Sequence, residues 1–243
     1  MTVASLAMYP FIHLRPAYER LWDAVRSRSS FDAPSLEWDL DPDVACRRDD
    51  LLLGQTCGWP LITDLANTVH VVGTFDCDVD GAVDGTYRSL LVSSTDQPLA
   101  DILDRADLIV AANSPDSLSG WISLRAAANR ARFDSVEWTG SHAASIEALR
   151  GGRAHLAAID AVSWAHLDGR GLSIVGHGPR IPCLPLVTSR SSTVALIAEL
   201  RRSLTEAVCD PALADTCDTL KIRGFVIRDL ADYEGLSELA ELW

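Results

Sequence analysis

A serine-rich stretch, "NSPDSLSG", separates the apolar segment "LIVAA" from a helix-like stretch that begins near residue 119. The first turn of a helix has unpaired backbone N–H groups and a partial positive charge, so it attracts anions. Ser117 and Ser119 would add hydroxyl donors, and Gly120 would let an oxyanion approach the backbone closely. Serine is also a favoured N-cap residue, and taken alone this stretch is better explained by helix capping.

Two further junctions between a strand-like and a helix-like segment carry polar residues. Ser141 and His142 lie in "GSHAAS", after "SVEWT", and Asp160 follows "HLAAI". Two serine-rich helix starts in one lobe could clasp a single tetrahedral oxyanion through N–H and O–H donors. Asp160 either caps the next helix or accepts a hydrogen bond from a protonated ligand oxygen or a ligand amine. We therefore expect an anion site built from these junctions.

Two other chemistries fit the sequence less well. Ser141 beside His142 suggests a nucleophile and its base, but neighbours in sequence rarely have triad geometry and the G-x-S-x-G motif is absent. The segment "DCDVDGAVD" (76–84) resembles the start of an EF-hand loop, yet Tyr87 stands at position 12, where the bidentate glutamate belongs. A solvated turn is the better interpretation, and the sequence predicts no metal, no cofactor and no catalytic residue.

Aromatic residues also fall at strand ends. Tyr9 follows the first strand-like segment, Trp59 follows "QTCG", and Tyr87 opens a later strand. Such residues are most often buried for packing, but at strand ends they can also form the wall of a cleft and donate a hydrogen bond. We expect Tyr9 and Trp59 to contact either the ligand's organic substituent or the face of the other lobe that closes on the ligand.

Charge and hydropathy exclude several classes of protein. The net charge of −13 over 243 residues argues against a nucleic-acid partner. No apolar run approaches the roughly 20 residues of a membrane span.

The N-terminus lacks the pattern of a secretory leader. This predicts a cytoplasmic protein as the sequence stands, and a periplasmic or cell-surface one if a leader was removed. Six scattered cysteines without metal-like spacing are expected to be reduced and buried.

The order of apolar segments predicts the fold class. Strand-like segments, among them "SLEWDL" (35–40), alternate with amphipathic stretches at 15–28, 119–132, 142–150 and 191–208, which predicts a mostly parallel α/β fold. In such folds ligands bind where strands end and helices begin. Segment 74–94 is a candidate crossing between two lobes and 179–189 the matching return. The expected lobes are 1–91 plus 183–243, and 92–182.

An ordered set of motifs spans residues 3–207: "MYPF", "LLLGQTCGWPL", "GTYRSLLV", "NSPDSLSGWISL", "GSHAASIEALRGGRAHLAAIDAVSW" and "LPLVTS". Together they resemble the phosphate/phosphite/phosphonate ABC-transporter substrate-binding family. The resemblance implies a type II periplasmic-binding-protein fold, in which two α/β lobes close by a hinge around a ligand in a central cleft.

The resemblance also implies roles for particular residues. The oxyanion would be held by Ser117, the backbone N–H of Leu118, and Ser119. His142 corresponds to the histidine of the second helix start, and Asp160 to the aspartate after "AAI". Tyr9 matches the family's first-strand tyrosine, and Trp59 falls near a position where an aromatic residue faces the cleft.

The sequence thus predicts a binding protein rather than an enzyme. It would capture a small phosphorus oxyanion (phosphonate, phosphite or phosphate) between its lobes for ABC-type uptake or sensing, with an ABC permease as a possible partner. The alternatives are an intracellular enzyme on the same fold, like those of the menaquinone pathway and of thiamine-pyrimidine synthesis, and an intracellular ligand sensor.

Overall fold

The computed structural model describes residues 2–129 and 131–240. Its strands are β1 (Val3–Ser5), β2 (Leu51–Gln55), β3 (Val69–Cys77), β4 (Thr86–Ser93), β5 (Ile109–Ala112), β6 (Ser135–Trp138), β7 (Leu156–Ile159), β8 (Ser173–Pro182), β9 (Pro185–Ser189) and β10 (Ile222–Val226). Its helices are α1 (Arg15–Ser27), α2 (Pro42–Cys46), α3 (Gly58–Pro60), α4 (Leu99–Leu103), α5 (Ser123–Ala127), α6 (His142–Arg150), α7 (Ala161–His166), α8 (Val194–Val208), α9 (Ala214–Leu220), α10 (Ala231–Glu234) and α11 (Leu236–Ala240). Single turns of 3₁₀-helix (Ile12–Leu14, Pro211–Leu213) and π-helix (Leu61–Leu65, Leu118–Ile122) join them.

The chain divides into two compact units. Unit 1 comprises the chain up to Asp78, Ala82–Thr86 and Pro182–Glu234, and unit 2 comprises Val79–Gly81, Tyr87–Ile181 and the chain from Gly235. The expected boundaries were after residues 91 and 182. Residues 87–91 of β4 fall in unit 2 instead, because Leu90 and Leu91 pair with β7, and the chain from Gly235, which was expected in the first lobe, also falls in unit 2.

Unit 1 is built on a five-stranded sheet with the order β1-β2-β9-β3-β10. Strands β1 and β2 are parallel, with Ser5 opposite Gly54, so their carboxyl ends lie at the same edge. Helix α1 buries Tyr18, Leu21, Trp22 and Val25, the i, i+3, i+4, i+7 spacing of one helix face. This packing places the segments after β1 and β2, which include Tyr9 and Trp59, at one edge of the sheet.

Unit 2 is built on a second five-stranded sheet with the order β6-β5-β7-β4-β8. Strand β5 pairs in parallel with both β6 and β7. Leu91, Val110 and Leu156 of the sheet pack with Leu124 of α5 in a fully buried core. Because the three parallel strands end at the same edge, the junctions after β5, β6 and β7 lie beside one another, as the sequence predicted.

Three expectations about the elements were wrong. The sheets are mixed rather than mostly parallel, because β4 and β9, which follow the crossings between units, run antiparallel to their neighbours. The segment "SLEWDL" is not a strand, since only Leu36 forms an isolated bridge, with Ala4. Strand β10 was missed because the Arg and Gly of "IRGFV" interrupt its apolar pattern.

The cysteines and the helices bear on two further expectations. All six cysteines are free, but Cys57 is only half-buried and Cys209 is exposed, so the expectation that all are buried was wrong. Cys209 directly follows the last residue of α8 and therefore lies outside the buried face of that helix. Within residues 2–129 and 131–240, no helix has both the length and the apolar character needed to cross a bilayer.

Candidate oxyanion-binding site

The serine-rich stretch after β5 forms a helix start in unit 2. Ser117 is the N-cap of the π-turn Leu118–Ile122, and its Oγ accepts a hydrogen bond of 3.0 Å from the Gly120 N–H. The hydroxyl of Ser117 keeps its own proton as a donor, since this bond uses only a lone pair. The N–H groups of Leu118 and Ser119 stand in the first turn, where a helix offers them no acceptor. Capping and anion binding are therefore compatible here.

Gly120 is required by the space available beside this turn. A Cβ atom at this position would lie 1.8 Å from Asn113 Oδ1 and 2.9 Å from Ser117 Oγ. The Oδ1 atom of Asn113 is itself buried and has no hydrogen-bond partner among the described residues. Sequence reasoning quoted Asn113 within the motif but gave it no role, and its buried amide is a further polar group at this helix start.

Two helix starts meet at the edge of the unit 2 sheet. The Ser119 Oγ lies 3.1 Å from the Nε2 of His142, the first residue of α6. Parallel pairing sets Ala112 opposite Trp138, and the N–H groups of Thr139 and Gly140 extend the pairing with bonds of 2.9 Å each to Ala112 and Asn113 carbonyls. The contact thus rests on backbone pairing and not on side chains alone.

Ser141 is the N-cap of α6 and lies at the surface. Its Oγ accepts a hydrogen bond of 3.1 Å from the Ala144 N–H, while its side chain stays exposed. Behind it, Thr139 Oγ1 lies 2.7 Å from Ser145 Oγ. The structure therefore places Ser141 beside His142, as expected, and its contact with an anion stays a prediction.

The electrostatic state of His142 follows from its surroundings. The residue is half-buried, and its Nδ1 atom is shielded from solvent. Burial lowers the pKa of His142 below its ordinary value of 6.5, while the Asp160 carboxylate and the Ala158 backbone act in the opposite direction. The neutral imidazole is thereby favoured. Ser117, Ser119 and His142 consequently form a set of neutral hydrogen-bonding groups.

Asp160 directly follows β7 and is one of the most buried polar residues described, at 2 % exposure. Its Oδ1 accepts a hydrogen bond of 2.8 Å from the Ser163 N–H, so it caps α7. The hydroxyl of Tyr87 donates to Oδ2 at 2.5 Å. The Tyr87 side chain is itself 1 % exposed. The cap role weighed for Asp160 therefore occurs, while its acceptance of a hydrogen bond from a protonated ligand oxygen or a ligand amine stays a prediction.

Tyr87 contacts a candidate site residue but was not assigned to the site from the sequence. It had been named as an aromatic residue at a strand start and as the residue at position 12 of the segment that resembles an EF-hand loop. The antiparallel pairing of β4 with β7, with Leu90 opposite Ile159, brings Tyr87 to Asp160. Because Tyr87 and Asp160 are 73 positions apart, no local sequence signal could have paired them.

The aromatic residues assigned to unit 1 lie where expected within that unit. Tyr9 follows β1 and is buried, and Trp59 lies in α3 directly after β2 and is half-buried. Near them, the side-chain oxygens Ser5 Oγ, Gln55 Oε1 and Thr56 Oγ1 are buried and have no hydrogen-bond partner within the described part of the chain. These three groups were missed, although "QTCG" was noted as the segment before Trp59.

Asp76, the first aspartate of the segment that resembles an EF-hand loop, is hydrogen-bonded to other groups of unit 1. Asp76 accepts hydrogen bonds from the guanidinium of Arg223 at 2.8 and 3.1 Å and from the Gly85 N–H at 2.8 Å. Among residues 2–129 and 131–240, no group of three or more His, Cys, Asp or Glu side chains is arranged to hold a metal ion.

Comparison with known proteins gives one family match. The family model described as "ABC transporter, phosphonate, periplasmic substrate-binding protein" matches residues 61–233, more than half of the chain. No curated protein matches the chain by sequence.

Solved structures share the fold at low identity. A binding protein component of an ABC phosphonate transporter from Pseudomonas aeruginosa (PA3383) is 16% identical with a TM-score of 0.77, covering 99% of this chain and 85% of its own. PhnD1 from Prochlorococcus marinus, in complex with methylphosphonate, is 15% identical with a TM-score of 0.73, covering 99% and 97%. XAC2383 from Xanthomonas citri, bound to ATP, is 16% identical with a TM-score of 0.70, covering 100% and 96%. The mixed α/β fold with two sheets is therefore of the type II periplasmic-binding-protein class.

Proposed function

The chain belongs to the periplasmic substrate-binding proteins of phosphonate ABC transporters, and from this premise we propose that unit 2 binds a small phosphorus oxyanion at Ser117–Ser119 and His142. The family consists of substrate-binding proteins, so the expectation of a binding protein is confirmed and the enzymatic alternative is set aside. Which oxyanion is bound, and by which residues, is the proposal.

The observation that carries the proposal is the contact between the two helix starts. Ser119 Oγ and His142 Nε2 are 3.1 Å apart, so polar groups from two separate elements meet at one point. A tetrahedral anion placed there would take the first-turn N–H groups of Leu118 and Ser119 and the two side chains. These groups are positioned before the ligand arrives, which reduces the entropy lost on binding.

The proposed ligand is protonated or carries an amine. Ser117, Ser119 and His142 are neutral in the favoured state, and Asp160 is an acceptor whose oxygens already receive the Tyr87 hydroxyl and the Ser163 N–H. A fully ionised anion beside a carboxylate would be repelled, whereas a P–OH group or an ammonium group donates to it. We therefore assign to Asp160 the preference for monoanionic phosphonates and aminophosphonates.

The organic substituent is assigned to unit 1 residues. Tyr9 and Trp59 supply apolar surface and, through the phenol and the indole, hydrogen-bond donors. Ser5, Gln55 and Thr56 supply unpartnered oxygens at the ends of the same two strands. A substituent bearing an amino or hydroxyl group would satisfy them, which supports the preference for functionalised phosphonates.

The partner and the location follow from the family. We assign an ABC permease as the partner that receives the ligand, and the periplasm or the cell surface as the location of the working protein. The solved relative PhnD1 in complex with methylphosphonate supports a phosphonate as the transported ligand.

The proposal is tested by isothermal titration calorimetry with phosphate, phosphite, methylphosphonate and 2-aminoethylphosphonate, at one pH and one salt concentration. We expect saturable binding of at least one phosphonate, with 2-aminoethylphosphonate the tighter of the two. If none of the four compounds binds to protein shown by native mass spectrometry to be free of a co-purified ligand, the proposal is wrong.

A further inference from the structure

A groove lies within unit 1, at the end of the sheet opposite to Tyr9 and Trp59. Thr56, at the end of β2, is hydrogen-bonded to Pro185, where β9 begins, whereas Val69, where β3 begins, pairs with Ser189 at the other end of β9. Beside this far end is a groove of about 760 Å³, a volume typical of small-molecule sites. We call it the β3–α8 groove; it is lined by residues 69–71 of β3, by Arg190 and Ser192, by one face of α8 and by residues 227–230.

The lining of the β3–α8 groove is mostly apolar and partly open to solvent. Val69 and Val71 are buried in the sheet, and Ala198 and Ile197 belong to α8. Val194 is 84 % exposed and Ile227 57 % exposed. Covering such side chains with an apolar group removes hydrocarbon surface from water, which is favourable. The groove therefore suits a ligand with an apolar body.

The edge of β3 at this groove is closed to another strand. Pairing of β10 with β3 ends at Val226 opposite Thr74, so the first residues of β3 are not covered by β10. The guanidinium of Arg201 donates hydrogen bonds there to the carbonyls of Val72, at 2.9 Å, and Val71, at 3.1 Å. An added peptide strand needs those carbonyls. The groove thus offers side chains, not backbone, and favours a small molecule over a peptide.

The charges around the groove leave one cation uncompensated. Arg201 pairs with Asp229 and Arg202 with Glu206, each at 2.9 Å. Arg190 has no carboxylate partner among the described residues. Its Nη1 lies 3.3 Å from His70 Nδ1 and its carbonyl oxygen lies 3.1 Å from His70 Nε2, so both ring nitrogens of His70 are engaged by Arg190. A guanidinium binds planar carboxylates well through paired N–H donors. The end of the groove at Arg190 is therefore suited to a single oxyanion.

We propose that the β3–α8 groove binds an amphipathic monocarboxylate. Its carboxylate lies against the Arg190 guanidinium, which His70 also contacts, and its hydrocarbon body covers Val69, Val194 and Ile227. This site goes beyond phosphonate binding and does not depend on it, since its residues lie within unit 1 at the end of the sheet away from Tyr9 and Trp59.

The test uses the full chain and two amphiphiles with the same decyl tail, decanoate and decyltrimethylammonium, below their micellar concentrations. We expect decanoate to bind saturably at one site, at least tenfold tighter than the ammonium compound. Ala198→Phe, which fills the groove, should weaken decanoate binding at least tenfold. Ala195→Phe is the matched control, because Ala195 is exposed on the same helix but does not line the groove. Arg190→Gln should abolish the preference for the carboxylate.

Several outcomes would overturn this proposal. They are the absence of saturable decanoate binding, equal binding of the two amphiphiles, and an affinity that Ala198→Phe leaves unchanged. A concentration-dependent dimer that Ala198→Phe dissociates would assign the groove to a second copy of the chain instead. Methylphosphonate titrated into the same variants separates the two proposals, because its binding should not respond to Ala198→Phe or Arg190→Gln.

Discussion

The sheet edges of the two units differ in how many of their candidate ligand-binding groups have hydrogen-bond partners. In unit 2, Ser119 contacts His142 and Tyr87 donates to Asp160, although Asn113 Oδ1 beside them has no partner in the described residues. In unit 1, Ser5, Gln55 and Thr56 present buried oxygens without partners in the described residues. A buried polar group without a partner costs free energy, whereas a partnered one is close to neutral or stabilising.

This difference separates two tasks. Groups that are bonded to one another in advance hold a fixed geometry, which suits recognition of an invariant tetrahedral group. Groups without a hydrogen-bond partner disfavour any substituent that cannot hydrogen-bond to them. Beside an apolar substituent they would stay buried and unpartnered, and the complex would carry that free-energy cost. The groups of unit 2 therefore suit recognition of a head group, and the oxygens of unit 1 suit a group that can donate hydrogen bonds to them.

The largest expected effect comes from the contact between the two helix starts. Ser119→Ala and His142→Gln should each lower the affinity for methylphosphonate about 10- to 100-fold, since each removes a hydrogen bond to a charged ligand, worth about 1.5–3 kcal/mol. The double variant should lose less than the sum of the two, because the residues share one bond. Calorimetry on the parent protein, the two single variants and the double variant measures the coupling free energy between the two residues.

The matched control for this cycle is Ser135→Ala. Ser135 is exposed at the start of β6, in the same unit but at the other end of the strand. The affinity of the Ser135→Ala protein for methylphosphonate should remain within twofold of that of the parent protein. Unchanged affinity in both Ser119→Ala and His142→Gln would place the anion elsewhere.

A smaller effect is expected when the Tyr87 hydroxyl is removed. Tyr87→Phe leaves Asp160 Oδ2 without this donor in a buried position, which should lower the free energy of unfolding by about 1–3 kcal/mol. Asp160→Asn in the Tyr87→Phe background removes the carboxylate charge and should restore part of the loss. Urea denaturation followed by circular dichroism measures both. A Tyr87→Phe protein as stable as the parent would mean that the bond contributes nothing.

The opposite sign is expected in unit 1. Thr56→Val replaces an unpartnered buried hydroxyl with a methyl group of similar shape, so the free energy of unfolding should rise by about 1 kcal/mol. The same change at Thr139 in unit 2 should lower it by about as much, because Thr139 Oγ1 contacts Ser145 Oγ at 2.7 Å and the Ala112 carbonyl at 3.2 Å. Equal effects of the same sign would remove the contrast between the units. Thr56→Val should also reduce the ratio of the affinity for 2-aminoethylphosphonate to the affinity for methylphosphonate.

The residues of unit 2 were predictable because their signals are local. Serines at a helix start, a histidine in the first turn of the next helix and an aspartate after an apolar run each mark a junction, and parallel neighbouring strands bring the junctions together. Only the assumption that β5, β6 and β7 share a sheet was needed, and alternation of strands and helices supplied it.

The residues that were missed depend on pairing between distant parts of the chain. Tyr87 reaches Asp160 only because β4 runs antiparallel to β7, and Arg201 closes the edge of β3 only because β10 ends at Val226. Crossings between units reverse strand direction, and neither composition nor periodicity encodes that reversal. Gln55 and Thr56 were missed for another reason: an absent hydrogen-bond partner can be recognised only after every neighbour is placed.

The smallest expected effect is a pH dependence of stability that arises from His142. Burial holds its pKa in the folded state below the ordinary 6.5, so the unfolded chain takes up this proton more readily. The free energy of unfolding should therefore fall as the pH drops below about 6.5, toward the lower folded-state pKa, by at most about 1.4 kcal/mol per pH unit for one proton. Urea denaturation of the parent protein and His142→Gln at pH 7.5 and pH 5.5 isolates this contribution, since titrations common to both cancel in the difference. If the two proteins lose equal stability between these pH values, His142 takes up its proton equally well in the folded state. Below about pH 6.5 it would then carry a positive charge at the candidate anion site. At such pH values the contrast between the units would be one between a cation in unit 2 and neutral groups in unit 1.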